Sequence, residues 1–222
     1  MVFSIYQKAN LIRSNSAVDP LLRPFVDFSY PIPQTHLGQG EIKLIILGQD
    51  PTVNCEKSRA RIKTVLNLNQ DGHLRRYLEK ICKGLGLDLD ENIYATNYFK
   101  AFFVKPPTQI KEIDVFEAFA PYWLPLLREE ISLFPDVPII ALGEPLLATI
   151  ATGDASKKVR DYWGYTDDWK VGETEPFHYL KPQDNILDRR IFPFPHQPSL
   201  RKKFYQDRLP RYIEFTKLHL KG

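Results

Sequence analysis

The feature that most limits what this chain can fold into is a recurring pair of segments, a short run of apolar residues followed by an amphipathic stretch. The run "IKLIILG" (residues 42–48) reads as a buried strand, and "NIYATN" (92–97), "VPIIALG" (137–143) and "RRIFPFPH" (189–196) repeat the pattern. A strand that alternates apolar and polar residues has one wet face, whereas an unbroken apolar run is covered on both. Between the runs, "HLRRYLEKICKGLG" sets Leu74, Tyr77, Leu78, Ile81, Cys82 and Leu85 at helical offsets, with Gly84 and Gly86 as stop signals. A longer helical segment aligns Phe116, Phe119, Trp123, Leu126 and Leu127 on one face, with Pro121 and Pro125 expected to split or kink it. "EPLLATIA" predicts a short helix and residues 152–188, polar and rich in Tyr and Trp, a long irregular loop with local structure; a final helix is expected to break at Pro210. Strands alternating with helices predict an α/β fold, three-layer α/β/α, around a central, mainly parallel four-stranded sheet.

Composition narrows the function classes. With 222 residues, 43% of them hydrophobic, the chain can bury one sizeable core, and one domain spanning 1–222 is expected, residues 1–40 forming an N-terminal extension without an assigned role. No segment approaches 18 uninterrupted apolar residues, and "MVFSIYQKANLIRSNS" lacks the basic start, apolar run and small-residue cleavage site of a secretory leader, so a soluble, cytoplasmic monomer away from membranes is expected. Two cysteines, Cys55 and Cys82, are too few for a disulfide framework or a four-thiolate metal site, and no His/Cys group has zinc spacing; neither metal nor cofactor is expected. The net charge of +3 is unevenly spread: from Arg189 onward nine Lys or Arg face two acids, giving +7 there and −4 on the rest. A basic end on a near-neutral body fits either a polyanion partner or a solvated helix face.

In parallel sheets, ligands gather outside the carboxyl ends of the strands. Four polar turns belong there: "LGQDPT", "ATNYFK", "ALGEP" and "PHQPSL". The candidate chemistry is therefore Asp50, Asn97 and His196, drawn from three distant parts of the chain. Each has an ordinary alternative: an Asp before Pro is a common turn residue, an Asn after a strand a common cap, and a lone His commonly structural.

Those turns carry a family resemblance. "GQDPT" resembles the G-Q-D-P-Y-H water-activating motif of uracil-DNA glycosylases, and "PHQPSL" their C-terminal H-P-S motif, in the same order and at comparable separation. "IYATNYFKAFFVKPP" is similar to the N-x-x-K segment, with its Pro pair, that carries the base-reading Asn in the iron–sulfur branch of that superfamily, and "VPIIALGEPLLATI" resembles the strand, glycine and helix of the same branch. The similarity runs from about Ile42 to the end.

The resemblance implies an enzyme that flips uracil out of DNA and hydrolyses its glycosidic bond, leaving an abasic site. Asp50 would orient water toward C1′ and stabilise an oxocarbenium-like sugar. Asn97 would read the pyrimidine edge, with Gln49 and Leu66 completing the base pocket, and His196 would donate to the departing base. Ser199 and Leu200 would enter the minor groove, while Arg201, Lys202 and Lys203 meet phosphates, with Lys57, Arg59, Arg61 and Lys63 gripping the other flank. The departures are specific. Thr52 replaces the Tyr that crowds out thymine, Leu66 stands where an aromatic ring is expected, Gln197 is inserted into the His motif, and the four cluster cysteines are missing. The alternatives are the same fold acting on another damaged base, and a catalytically inactive DNA-binding relative.

Overall fold

The computed structural model describes residues 2–166, 176–197 and 199–220. Among them are eight α-helices and one five-stranded sheet. The helices are α1 (Val2–Val18), α2 (Glu56–Arg59), α3 (His73–Leu85), α4 (Leu89–Asn92), α5 (Val115–Ile131), α6 (Glu144–Ile150), α7 (Val159–Tyr162) and α8 (Lys203–Leu220). The strands are β1 (His36–Leu37), β2 (Leu44–Gly48), β3 (Ile93–Asn97), β4 (Ile139–Leu142) and β5 (Ile191–Phe194), in spatial order β1-β3-β2-β4-β5.

The four expected strands are β2 to β5, all mutually parallel where they pair and all fully buried, which is why they are apolar apart from Thr96 and Asn97 at the end of β3. The expected count of four is corrected to five. β1 pairs antiparallel with β3, His36 opposite Ala95 and Leu37 opposite Tyr94, and closes that edge of the sheet. The residues before β2 also feed the core, where Ile5, Ala9, Leu22, Val26 and Ile32 join the same buried cluster as the strands. Helix α1 lies against α5, with Lys8 Nζ 2.6 Å from Glu129 Oε1, and α3 lies against α8.

Neither the expected split of α5 nor the expected interruption of α8 occurs. Helix α5 runs through Pro121 and Pro125, and α8 through Pro210. A proline deprives the carbonyl four residues earlier of its partner, so the damage depends on where that carbonyl faces. All three prolines are on exposed faces, where water can take the place of the missing N–H. The stretch expected to be irregular contains α7, and Trp163 beyond it is fully buried, stacked on Tyr212 at 4.5 Å and edge-on to Phe194 at 5.5 Å. Residues 167–175 of that stretch lie outside the described residues. No described helix is long and apolar enough to cross a membrane.

From β2 the chain moves one way to β3, then returns past β2 to β4 and β5. The reversal leaves a crevice between the carboxyl ends of β2 and β4, because the connections leave those ends in opposite directions.

Candidate active site

A cleft of about 480 Å³ occupies that crevice, and Gln49, Asp50, Thr52, Leu66, Gly143 and His196 line it. Asp50 sits two residues past the end of β2. The ladder between β2 and β3 extends into the turns, since Tyr98 N–H donates to Gly48 O at 2.8 Å and Phe99 N–H to Gln49 O at 2.9 Å. The Asp50 carboxylate is held at both oxygens, by Gln49 Nε2 (2.9 Å) and the Thr52 N–H (2.8 Å). The Thr52 hydroxyl accepts from Phe103 N–H at 2.8 Å and gives its own hydrogen bond to Asp50. Burial dominates these bonds and the nearby Arg59 charge, and pushes the Asp50 carboxyl up to about 6. It is an anion at neutral pH that the protein stabilises less well than water does.

His196 enters from the other side, after β5. Two buried rings fix the approach: Trp163 Nε1 donates to Pro193 O at 2.8 Å and Tyr77 OH to Pro195 O at 3.2 Å. Gly143 has φ 94°, and a Cβ there would stand 3.4 Å from His196 Cβ, so glycine serves both the backbone turn and the close approach. The imidazole is exposed at the mouth, yet desolvation by the surrounding protein lowers its pKa below the ordinary value. At neutral pH it is an uncharged donor or acceptor.

Asn97 ends β3 on the same sheet edge, opposite Gly48 in the ladder, but does not line the cleft. It is fully buried, and neither its Oδ1 nor its Nδ2 has a hydrogen-bond partner. Gly48 shows what lies over it: a Cβ at that position would collide with Asn97 Oδ1 and come within 2.6 Å of Leu66 Cδ2. Leu66, which lines the cleft, thus fills the space above Gly48 together with the Asn97 amide. It does so in the left-handed region, φ 55°, followed by Asn67 at the same φ. For a leucine that conformation costs about 1–2 kcal/mol, and for an asparagine less. Lys100, three residues after Asn97, is equally hidden but fully engaged. Its ammonium donates to Thr96 Oγ1 (2.7 Å), Asn97 O (3.1 Å) and Glu130 Oε2 (2.5 Å), and Tyr94 OH takes the other Glu130 oxygen.

Ser199, Leu200 and Arg201 form a single 3-10 turn after His196, whose carbonyl accepts from the N–H of Ser199 (2.8 Å) and Leu200 (3.3 Å). Leu200 is partly exposed and packs its remaining surface against the core. Arg201, Lys202 and Lys203 are exposed.

The expected grip by Arg59 is corrected. Arg59 is buried, 3.0 Å from Asp27 Oδ2, and donates to the carbonyls of Val53, Phe103 and Val104, so it pins the cleft wall instead of meeting solvent. Lys57, Arg61 and Lys63 around it are exposed. The part played by Gly143 was signalled in the sequence by a glycine closing an apolar run. The Thr52 relay was not, since its partner Phe103 is 51 residues away.

Among the described residues no three His, Cys, Asp or Glu side chains gather as a metal site. No family model matches the chain, and a search of curated proteins returns no match.

Proposed function

We propose that the chain is a DNA glycosylase that hydrolyses the N-glycosidic bond of uracil, or of a related damaged base, and leaves an abasic site. The outer helix pairs α3/α8 and α1/α5 would be the covering layers of a three-layer α/β/α scaffold. One observation carries the proposal: a desolvated carboxylate and a neutral imidazole share a single cleft at the strand-order reversal, with an unpartnered amide directly behind it. Such a trio suits a reaction that develops positive charge on a sugar and negative charge on a leaving base.

In the proposed reaction, Asp50 holds a water against C1′ and faces the sugar as it becomes cationic. The water oxygen bonds to C1′, the C1′–N bond breaks, and its electron pair leaves with the base. Asp50 accepts the proton that water loses. His196 donates a hydrogen bond to the carbonyl oxygen on which the base collects charge. Asn97 offers one donor and one acceptor, the complement of a pyrimidine with adjacent carbonyl and N–H, and cytosine presents the reverse order. For Asn97 to reach the base, Leu66 moves aside, and the strained pair Leu66–Asn67 is the point at which the turn can relax.

The covered state of Asn97 favours a second possibility, a DNA-binding relative without chemistry. The test is incubation with uracil-containing single- and double-stranded oligonucleotides, followed by alkaline cleavage. Strand scission at uracil is expected. Intact binding without scission would leave only the binding role, and scission at a different damaged base would reassign the substrate.

A further inference from the structure

The bond from the Thr52 N–H to the Asp50 carboxylate is, by itself, an ordinary turn. The same contact, from the residue two places on, is made to Asp19, Asp27, Asp88 and Asp114 by the N–H of Leu21, Ser29, Asp90 and Phe116. Of those four donors only Ser29 carries a hydroxyl, and it is exposed. At Thr52 the hydroxyl is used. Thr52 Oγ1 accepts the Phe103 N–H at 2.8 Å, and its single hydrogen goes to Asp50.

The Phe103 amide is a fixed donor. Its ring is fully buried, edge-on to Phe99 at 5.4 Å and to Phe119 at 5.1 Å. Arg59 sets the gap that the bond crosses: it donates to Val53 O (2.6 Å) on one side and to Phe103 O (3.2 Å) and Val104 O (3.0 Å) on the other. An oxygen that spends a lone pair on a fixed N–H has its own hydrogen aimed, and the two bonds polarise one another. Asp50 thus receives Gln49 Nε2, the Thr52 N–H and the Thr52 hydroxyl, so residue 52 supplies two of its three donors. The charged and titratable groups around it are Arg59, whose charge is answered by Asp27 at 3.0 Å, and His196, which shares the cleft.

We infer that Thr52 is a positioning residue of this site: its hydroxyl links the fixed Phe103 amide to the Asp50 carboxylate, sets the direction of that carboxylate and holds its negative charge in place. The role in catalysis rests on the glycosylase proposal; the hydrogen-bonded chain stands on its own geometry. Each donor to a buried carboxylate favours the charged form. Loss of the hydroxyl therefore leaves Asp50 protonated at pH values where the wild-type residue is an anion. Since only the anion can take a proton from water, the loss is felt at acid pH and fades at alkaline pH.

The experiment compares wild type, Thr52→Val and Thr52→Ser. In single-turnover excision of uracil, Thr52→Val should move the acid limb of the pH–rate profile up by about one pH unit, the scale of one hydrogen bond to a charged group. It should then be about tenfold slower than wild type at pH 5 and within about twofold at pH 8.5. Thr52→Ser, which keeps the hydroxyl, should restore the wild-type limb. Carbon-13 NMR of the Asp50 carboxyl should show the same displacement without any need for activity. One further measurement leaves Thr52 intact and holds even if Thr52→Val folds poorly: the wild-type Phe103 amide resonance should move with the Asp50 titration near pH 6 and stop moving in Asp50→Asn. An Asp50 titration unmoved in Thr52→Val, or a Phe103 amide that ignores it, would overturn the inference. So would a rate lowered by one factor at every pH, the mark of a merely structural threonine. A displaced titration with no excision by wild type removes the glycosylase proposal and keeps the chain of bonds, whereas normal excision with an unmoved titration does the reverse.

Discussion

Asn97 and Lys100 stand three residues apart at the end of one strand, both hidden from solvent, and the protein treats them in opposite ways. Each Lys100 N–H has an acceptor, and Glu130, its counter-ion, is satisfied by Lys100 and Tyr94. Asn97 has no partner for either amide atom. Burying an amide without hydrogen bonds costs roughly 1–3 kcal/mol in proteins. The contrast sorts the two residues: Lys100 serves the core, whereas Asn97 is the amide that the proposed function assigns to a base. Asp50 falls on the side of Asn97, because its charge is penalised by burial, and Arg59 on the side of Lys100, because every contact it makes is internal.

The largest effect expected is catalytic and falls on the destabilised side. Asp50→Asn preserves size and an acceptor for the Thr52 N–H but removes the charge proposed to face the sugar. Excision should slow by about 10²- to 10⁴-fold in single-turnover measurements while DNA affinity stays within a few-fold. A variant within threefold of the wild-type rate would move Asp50 to the structural side. On the stabilised side, Lys100→Met leaves the Glu130 carboxyl buried without its cation, and urea unfolding should show a loss of about 3–5 kcal/mol. A loss below about 1 kcal/mol would mean that this buried network contributes little to the fold.

The sequence separates the two classes only in part. Strands β2 to β5 were legible because each is buried on both faces and reads as an apolar run, which in β3 gives way to Thr96 and Asn97 only at its end. β1 was not, since two residues, one of them the half-exposed Leu37, have no periodicity to detect. Asp50 and His196 were legible as polar residues closing strands, and the cleft brings them together. The burial of Asn97 was not, because Leu66, which meets it above Gly48, sits in a left-handed turn that Asn67 hints at but a leucine does not. Arg59 read as one cation of a basic run, and only the distant partners Asp27, Phe103 and Val104 make it internal. Long-range pairing of this kind leaves no spacing to read.

An intermediate effect is expected in the pH dependence. Burial pushes the folded Asp50 carboxyl up to about 6, against 3.8 for an aspartate in water. Between about pH 4 and 6 the folded state therefore holds more protons than the unfolded one, and stability should fall as pH rises, levelling above 6. Because the side chain is only partly buried by its surroundings, this contribution should be about 1–3 kcal/mol, and it should vanish in Asp50→Asn. The excision rate should move the other way, rising through about pH 6 as the carboxylate forms. Chemical unfolding and excision measured from pH 4 to 8 on both proteins check the two signs. A stability that rises over this window in wild type relative to Asp50→Asn would mean that the fold favours the charge.

The smallest effect expected tests the contrast most directly. Asn97→Ala removes a buried side chain that makes no hydrogen bond, so nothing polar is orphaned by its loss and one uncompensated amide is relieved. Opposing this is the small cavity left beneath Leu66, which the leucine can settle into from its strained turn. The two terms are of similar size, and urea unfolding should place the variant within about 1 kcal/mol of wild type, whereas a hydrogen-bonded buried Asn would lose about 1–3 kcal/mol. If Asn97 is kept for a base, the same variant should release uracil poorly or lose its preference for uracil over cytosine. A loss of more than about 2 kcal/mol would show that the amide has partners and belongs with Lys100. Unchanged stability with unchanged excision would leave Asn97 outside the site, and the base would then be read by Gln49 and the cleft wall alone.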